Sequence, residues 1–402
     1  MPTGTNLKHA KAYNYRLVLE TIRRFGPLSR ADMARRTELT AQTISNITKQ
    51  LISRGLVHEG GRRREGRGAP SMLIQLNADG AYSIGLDLDK DHLVGVLVDF
   101  VGDVRQRIYQ DVDFPSPAEA LDILADTAQT LMEREGLTTN DVRGVGVGVP
   151  GPLGGGEGPT ETTLVSPTSY PGWHNVPVAD QLSQRLGLPV FLEKNATAAA
   201  VGERWYGAGR HVDTFFYVYA GAGLGGGLIV NGHPYRGRSG NAGELGYFML
   251  PLRPDPAATD APQPHVGMLF NLPRLLETLR RPGEPVPKAA ELAAEFEAGN
   301  SVLHTWLETG ARHLAPVILA IEYLLDPEAI IFGGRLPDVM IRALVEALEA
   351  RMPHLRTEGK PTTPALLLAT AGADAAALGV ATLPMYASFA PAPRMLRKGT
   401  PA

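Results

Sequence analysis

The chain has 402 residues, 44% hydrophobic and 20% charged, a globular composition that is too long for one core and suits two or three domains. It has no cysteine, which excludes disulfides and thiolate metal sites, and no apolar run reaches the roughly 18 residues that span a bilayer. The net charge of −3 hides an asymmetry: residues 1–80 hold 14 Lys and Arg against 6 Asp and Glu, net +8, and the rest hold 25 against 36, net −11. A basic head on an acidic body assigns any polyanionic partner to the head. With no secretory h-region at the N-terminus, a cytoplasmic protein is expected.

In the head, residues 14–25 place Leu17, Val18, Leu19, Ile22 and Phe25 on one helical stripe, ended by Gly26-Pro27. Ser29 caps a short second helix, Arg30–Thr37, with Asp32 as the capping-box acid. Thr40 caps a third helix, which runs to about Ser53 and stops at Gly55. This helix buries Ile44, Ile47 and Leu51. Its other face carries Gln42, Thr43, Ser45, Asn46, Lys49 and Gln50, polar side chains suited to base edges in a major groove. Helix, short helix, turn, polar-faced helix is the helix-turn-helix order. Residues 56–59 and 71–76 flank a glycine-rich tip, so the head reads as a winged helix. Arg62, Arg63, Arg64 and Arg67 on that tip suit phosphate contact or minor-groove insertion. A three-helix protein-interaction module is the competing reading, and the basic tip together with the polar face argues for DNA.

In the body, residues 82–98 read as two strands around a tight polar turn at 89–91, and residues 214–230 repeat the pattern. The two hairpins imply two lobes with a cleft between them. Residues 144–153 (GVGVGVPGPL) alternate apolar and glycine as a strand ending in a Pro-Gly turn, followed by a flexible glycine-rich loop at 154–160. A helix over Val178–Leu186 and a buried strand at 190–192 lead into LEKNATAAAVG at 192–202. The glycine-rich run AGAGLGGG (220–227) and GELGY (243–247) follow. Helices are expected over 272–279, 288–298, 302–325 and 374–383, and strands over 330–334 and 365–370. Residues 386–402 read as a flexible tail.

Taken in order, LEKNATAAAVG, AGAGLGGG and GELGY resemble the ROK family of sugar kinases and sugar-responsive repressors, and the head resembles that of its repressor branch. The resemblance implies an α/β, two-lobed, actin-like ATPase (ribonuclease H-like) fold behind a winged helix-turn-helix. The layout it implies is a DNA-binding head over 1–80 and a first lobe over 81–195, completed by about 372–385. A second lobe covers 196–371, with an effector cleft between the lobes and a tail over 386–402.

The departures from the family pattern decide the function expected. Where a ROK kinase reads E-N-D-A-N-A-A-A, this chain has Glu193-Lys194-Asn195, so the catalytic aspartate position holds an amide that cannot accept a proton. The first hairpin turn, D-x-G-G-T in nucleotide-using relatives, is here Asp87-Leu88-Asp89-Lys90-Asp91. It has lost the glycines that let backbone approach a phosphate and gained carboxylates that repel one. Residues 221–227 match the kinases' second phosphate loop and are read as retained for turn geometry. Tyr247 stands at the position of the family's first zinc ligand, and a Pro/Ala-rich stretch replaces the cysteine segment, leaving His265 alone. No catalytic residue, metal or cofactor is therefore expected.

Binding can outlast catalysis. Glu244 matches the family's glutamate that accepts from sugar hydroxyls, although an acid between glycines is otherwise a plain loop residue. Asn195 can still donate and accept. Lys194 either donates to a ligand, with a shift towards an anionic one, or is salt-bridged to a neighbour. Trp173 is read as packing. Glu244, Asn195, Lys194 and Tyr247 are the candidate effector contacts. The resemblance implies a homodimeric or homotetrameric repressor that binds double-stranded operator DNA and responds to a carbohydrate effector. The alternatives are an ATP-dependent sugar kinase with an appended head, and a DNA-binding regulator with a vestigial cleft.

Overall fold

The computed structural model describes residues 7–63, 70–154, 164–165, 172–249, 265–280, 282–283, 287–357 and 362–391. Arg64 and Arg67 of the wing tip, the loop at 155–160 and the tail beyond 391 lie outside the described residues. The head contains α1 (Leu7–Phe25), β1 (Leu28–Ser29), α2 (Arg30–Thr37), α3 (Ala41–Ser53), β2 (Val57–Arg63) and β3 (Ser71–Leu76). The three strands form a sheet in the order β1-β3-β2. Local chemistry sets these boundaries. The Ser29 hydroxyl accepts from Asp32 N while the Asp32 carboxylate accepts from Ser29 N, and Thr40 accepts from Thr43 N at the start of α3. Gly55, at φ +69°, takes the left-handed turn after α3. Two expectations for α1 need correction. It starts at Leu7, not at residue 14, and Phe25 lies outside the buried stripe, 46% exposed beneath the Arg36 guanidinium.

The body follows in chain order with β4 (Tyr82–Leu88), β5 (His92–Val98), β6 (Val104–Asp111), α4 (Pro117–Glu135), β7 (Val142–Val149), the short pair β8 (Leu153–Gly154) and β9 (Leu164–Val165), α5 (Val178–Leu186), β10 (Val190–Lys194) and α6 (Asn195–Tyr206). The second half holds β11 (Phe215–Ala220), β12 (Leu224–Val230), β13 (His233–Pro234), α7 (Val266–Leu269), α8 (Leu272–Leu279), α9 (Leu292–Glu297), α10 (Ser301–Leu325), β14 (Ala329–Gly334), α11 (Asp338–Leu355), β15 (Ala365–Leu368) and α12 (Ala375–Phe389). The helix expected over 288–298 is instead a 3-10 turn at Ala289–Glu291 followed by α9. β10 is half-buried over its first three residues, not fully buried.

The two large sheets have the same topology. One is ordered β10-β7-β4-β5-β6 and the other, read from its far edge, β15-β14-β11-β12-β13. Each is an antiparallel hairpin extended by a third antiparallel strand on one side and by two parallel strands on the other. The hairpin repeat seen in the sequence is thus the visible part of a repeat of the whole sheet. We call the sheets' layers the first and second lobe.

Helix α12 lies on the first sheet at backbone distance. A Cβ on Gly146 would sit 1.9 Å from Val380 O, so this glycine of β7 is the seat of the helix, and Ser83 Oγ donates to Ala381 O at 2.6 Å. α12 also corrects the expected tail. Pro384 suggests a stop at residue 383, yet the helix continues through Phe389. The reason is tertiary: Met385 and Phe389 pack against the head's core, and Phe389 meets Phe100 edge-on with ring centroids 4.9 Å apart.

Candidate functional site

The central segment splits where strand becomes helix. Glu193 and Lys194 end β10, and Asn195 begins α6. Both end residues of β10 reach across to residues 236–244, beyond the second lobe's hairpin. Arg236 Nε donates to Glu193 Oε2 at 2.6 Å, and Lys194 Nζ donates at 2.8 Å to both Glu244 Oε1 and Ala242 O. Asn241 completes the seam, accepting from Leu153 N at 2.8 Å and donating to Leu153 O at 2.7 Å. Lys194 is salt-bridged to Glu244 and also lines the cavity that Glu244 faces. Its side chain is only 4% exposed, and Glu244 remains 31% exposed on the cavity side.

Lys194, Asn195, Glu244 and Tyr247 all line one cavity of about 430 Å³, together with Asp89, Lys90, Tyr219 and the loop at 222–226. Asn195 Nδ2 donates to Leu88 O at 3.2 Å, and its Oδ1 is buried without a hydrogen-bond partner. Tyr247 is half exposed and faces His265 at 5.4 Å between ring centroids. The glycines at 225 and 227 belong to β12, and a Cβ on either would meet Ala196 or Ala200 of α6, which accounts for that half of the run by packing. Trp173 is buried and donates from Nε1 to Pro115 O at 2.9 Å, a packing role.

The turn that replaces the phosphate loop carries an ion network. His92 Nδ1 is 2.7 Å from Asp91 Oδ1, its Nε2 is 3.8 Å from Asp87 Oδ2, and Arg335 of the second lobe reaches Asp91 Oδ2 at 3.4 Å. Burial alone would lower the His92 pKa, but the neighbouring Asp87 and Asp91 carboxylates raise it to about 9. Burial pushes the Asp89 carboxyl up. Asp91 is also penalised by burial, yet the His92 bond and the Arg335 charge hold it below the ordinary carboxylate range. Because the folded His92 pKa lies above its ordinary value of 6.5, its contribution to stability is complete below that pH and is lost as pH rises through about 9. Urea denaturation at steps from pH 6 to 10 should therefore show the wild type losing on the order of 2 kcal/mol more than His92→Gln. Parallel curves would refute this.

In the head, Gln42, Asn46, Lys49 and Gln50 are exposed on α3, and Thr43 and Ser45 are partly so. Gln42 Nε2 donates to Asn46 Oδ1 at 3.2 Å, which aligns the two side chains on one turn. Arg62 is exposed on β2, whereas Arg63 donates to the buried Asp32 carboxylate at 3.1 Å. Asp32 therefore serves both the α2 cap and the base of the wing, and Arg35 donates to it as well. Asp32→Ala should cost about 1–2 kcal/mol in urea denaturation, because cap and wing anchor are lost together.

Glu193, Arg236, His92 and Arg335 were not marked by the sequence. Among them Glu193 sits inside a motif and His92 stands next to the turn that holds its partners Asp87 and Asp91, whereas Arg236 and Arg335 are recognised only by partners far along the chain.

The description of the ROK family matches residues 83–385, and that of the MarR family matches residues 13–68. The xylose repressor of Caldicellulosiruptor bescii is 33% identical over 61% of this chain, a match that spans 60% of that protein's own length. The glucokinase of Thermotoga maritima is 34% identical over 42% of this chain and 50% of that protein. A crystal structure of a ROK family transcriptional regulator, a homolog of the E. coli MLC protein, superposes with a TM-score of 0.72 at 21% identity, covering 94% of this chain and 97% of that one.

Proposed function

The chain belongs to the ROK family, and from that premise we infer that it is a sugar-responsive transcriptional repressor. Its head binds operator DNA, and its cleft binds a carbohydrate without phosphorylating it. The observation that carries this reading is the composition of one cavity: an acid open to a hydroxyl, Glu244, beside an amide, Asn195, where a kinase needs a base. The same chain carries a winged helix with an exposed polar face on α3. The likeness to xylose repressors supports a carbohydrate effector.

On this reading Gln42, Thr43, Ser45, Asn46 and Lys49 meet base edges and backbone, and Arg62, Arg64 and Arg67 reach phosphate or the minor groove. Arg63 acts by bracing the wing, since Asp32 holds it. Two heads of a cytoplasmic homo-oligomer would take half-sites about 10 bp apart or a multiple of that. A sugar hydroxyl entering the cleft competes with Lys194 for Glu244, in a cavity that Asn195 and Tyr247 also line.

The likeness to a glucokinase keeps an active kinase as the second reading. Against it stand Asn195 and the ion network that fills the first phosphate turn. A gel shift on the DNA upstream of the gene should show a complex that D-xylose or D-glucose dissolves without nucleotide. With 6–10 phosphate contacts its affinity should fall about 10³- to 10⁵-fold between 50 and 200 mM salt. Sugar-dependent ATP turnover that Asn195→Ala abolishes would replace this reading with the kinase.

A further inference from the structure

The cleft and the head meet at one pair of helices. α6 starts at Asn195 on the cavity wall and ends at Tyr206, beside the head. It lies on the second sheet: a Cβ on Gly227 would sit 2.7 Å from Ala196 O. α12 lies on the first sheet, as described above. The two helices cross in opposite senses, Gly379 against Ala198 and Gly202 against Ala375, and a Cβ on Gly379 would stand 1.8 Å from Ala198 O. No side chain separates them there, so a change in the angle between the lobes pivots on this crossing.

Helix α1 of the head touches both members of the pair. Arg16 Nη1 donates to Ala387 O at 3.1 Å and to Ala390 O at 3.2 Å, carbonyls at the C-terminal end of α12 that lack helical partners. Seven residues later, on the same face of α1, the Arg23 guanidinium lies 4.0 Å over the Trp205 ring of α6. Between these contacts is a cavity of about 520 Å³, bounded by α1, the turn after β5 and the ends of α6 and α12. The end of α12 is joined to the head's core by Met385 and Phe389, and beside that contact α1 meets the body at these two points next to an open cavity.

We propose that α1 reads the angle between the lobes. Arg16 follows the first lobe through α12, and Arg23 follows the second through Trp205. These positioning residues make operator affinity depend on the effector. The proposal rests on the reading of the cleft as an effector site given above. Effector contact at the N-terminus of α6 rotates that helix against α12, its far end carries Trp205, and the displacement appears at α1 as a tilt of the recognition face.

The test uses the full chain, the DNA upstream of its gene, and D-xylose and D-glucose as probes. A wild-type sugar response of about 5- to 150-fold in operator Kd is expected. In Trp205→Leu and in Arg16→Met this ratio should fall below about twofold, while sugar Kd and sugar-free operator Kd each stay within about threefold of wild type. Trp205→Phe keeps a ring under Arg23 and should restore most of the response. A Trp205→Leu chain that responds like the wild type overturns the proposal. If wild type answers to neither sugar, the effector reading has failed, and a sugar-free arm decides the proposal separately. Of the three tryptophans, Trp173→Phe and Trp306→Phe leave Trp205 as the only indole. Coupling is reciprocal, so operator DNA alone should shift its emission. An emission unchanged by saturating DNA overturns the proposal.

Discussion

Replacing Glu203 by alanine should destabilise the body by roughly 2–4 kcal/mol. The Glu203 carboxylate is fully buried at the end of α6. It accepts from Ala208 N at 2.8 Å, from Thr370 N at 3.0 and 3.1 Å, and from Ala371 N at 2.7 Å. Truncation leaves three backbone N–H groups without this acceptor; Ala208 and Ala371 are half-buried and bear a cost at the lower end of about 1–3 kcal/mol each, while the exposed Thr370 can turn to water. The carboxylate lies tight against the main chain, where a Cβ on Gly207 would stand 1.9 Å from Glu203 Oε2. Urea denaturation measures the loss. Glu203→Gln keeps the size and one acceptor and should lose less than half as much. A loss below about 1 kcal/mol for the alanine variant would show that the N–H groups find water instead. Glu203 joins the end of α6 to the segment that leads into α12.

The second large effect belongs to the head. Gln42→Ala combined with Asn46→Ala should weaken operator binding by about 2–6 kcal/mol, roughly 30-fold to 10⁴-fold, since a good base contact discriminates by about 1–3 kcal/mol. Both side chains are exposed and bonded chiefly to each other, so the fold should survive and the helical circular dichroism should not change. Binding to unrelated DNA, which depends on the arginines and the salt concentration, should change much less. Equal losses on operator and unrelated DNA would mean that α3 is not the reading helix.

What the sequence makes legible here is mostly local. The Ser29–Asp32 capping box, the Thr40 cap and Gly55 are each complete within four residues, so the helix-turn-helix can be read with its boundaries. The two hairpins can be read for the same reason. Helix α4 carries an equally local signal that the reading passes over: Ser116 and Glu119 form a reciprocal capping box, Pro117 takes the first helical position, and Gly136 ends the helix. α11 has no such cap, and Pro337 before it and Pro353 within it blur its outline.

The site divides in the same way. That Asn195 stands where the family pattern has an aspartate, and that 89–91 lacks the pattern's glycines, is visible because a pattern exists to compare against. That Lys194 belongs to Glu244 is not visible, since fifty residues separate the partners and only the fold joins them. The Arg335–Asp91 pair spans 244 residues and links the lobes with no local signature. The continuation of α12 past Pro384 is also invisible locally, because its stabilising partners are Arg16 and the head's core at the other end of the chain.

One titration addresses the central claim, that a cleft which has kept its acid and lost its base senses sugar and passes the signal to the head. Labelled upstream DNA bound to the full chain is followed by fluorescence anisotropy in nucleotide-free buffer as D-xylose, then D-glucose, is added. The account predicts that one of them releases the DNA with a saturable midpoint, and that Glu244→Gln moves that midpoint to higher sugar while leaving sugar-free DNA binding intact. Release that requires ATP, or a Glu244→Gln midpoint identical to the wild type, would contradict it.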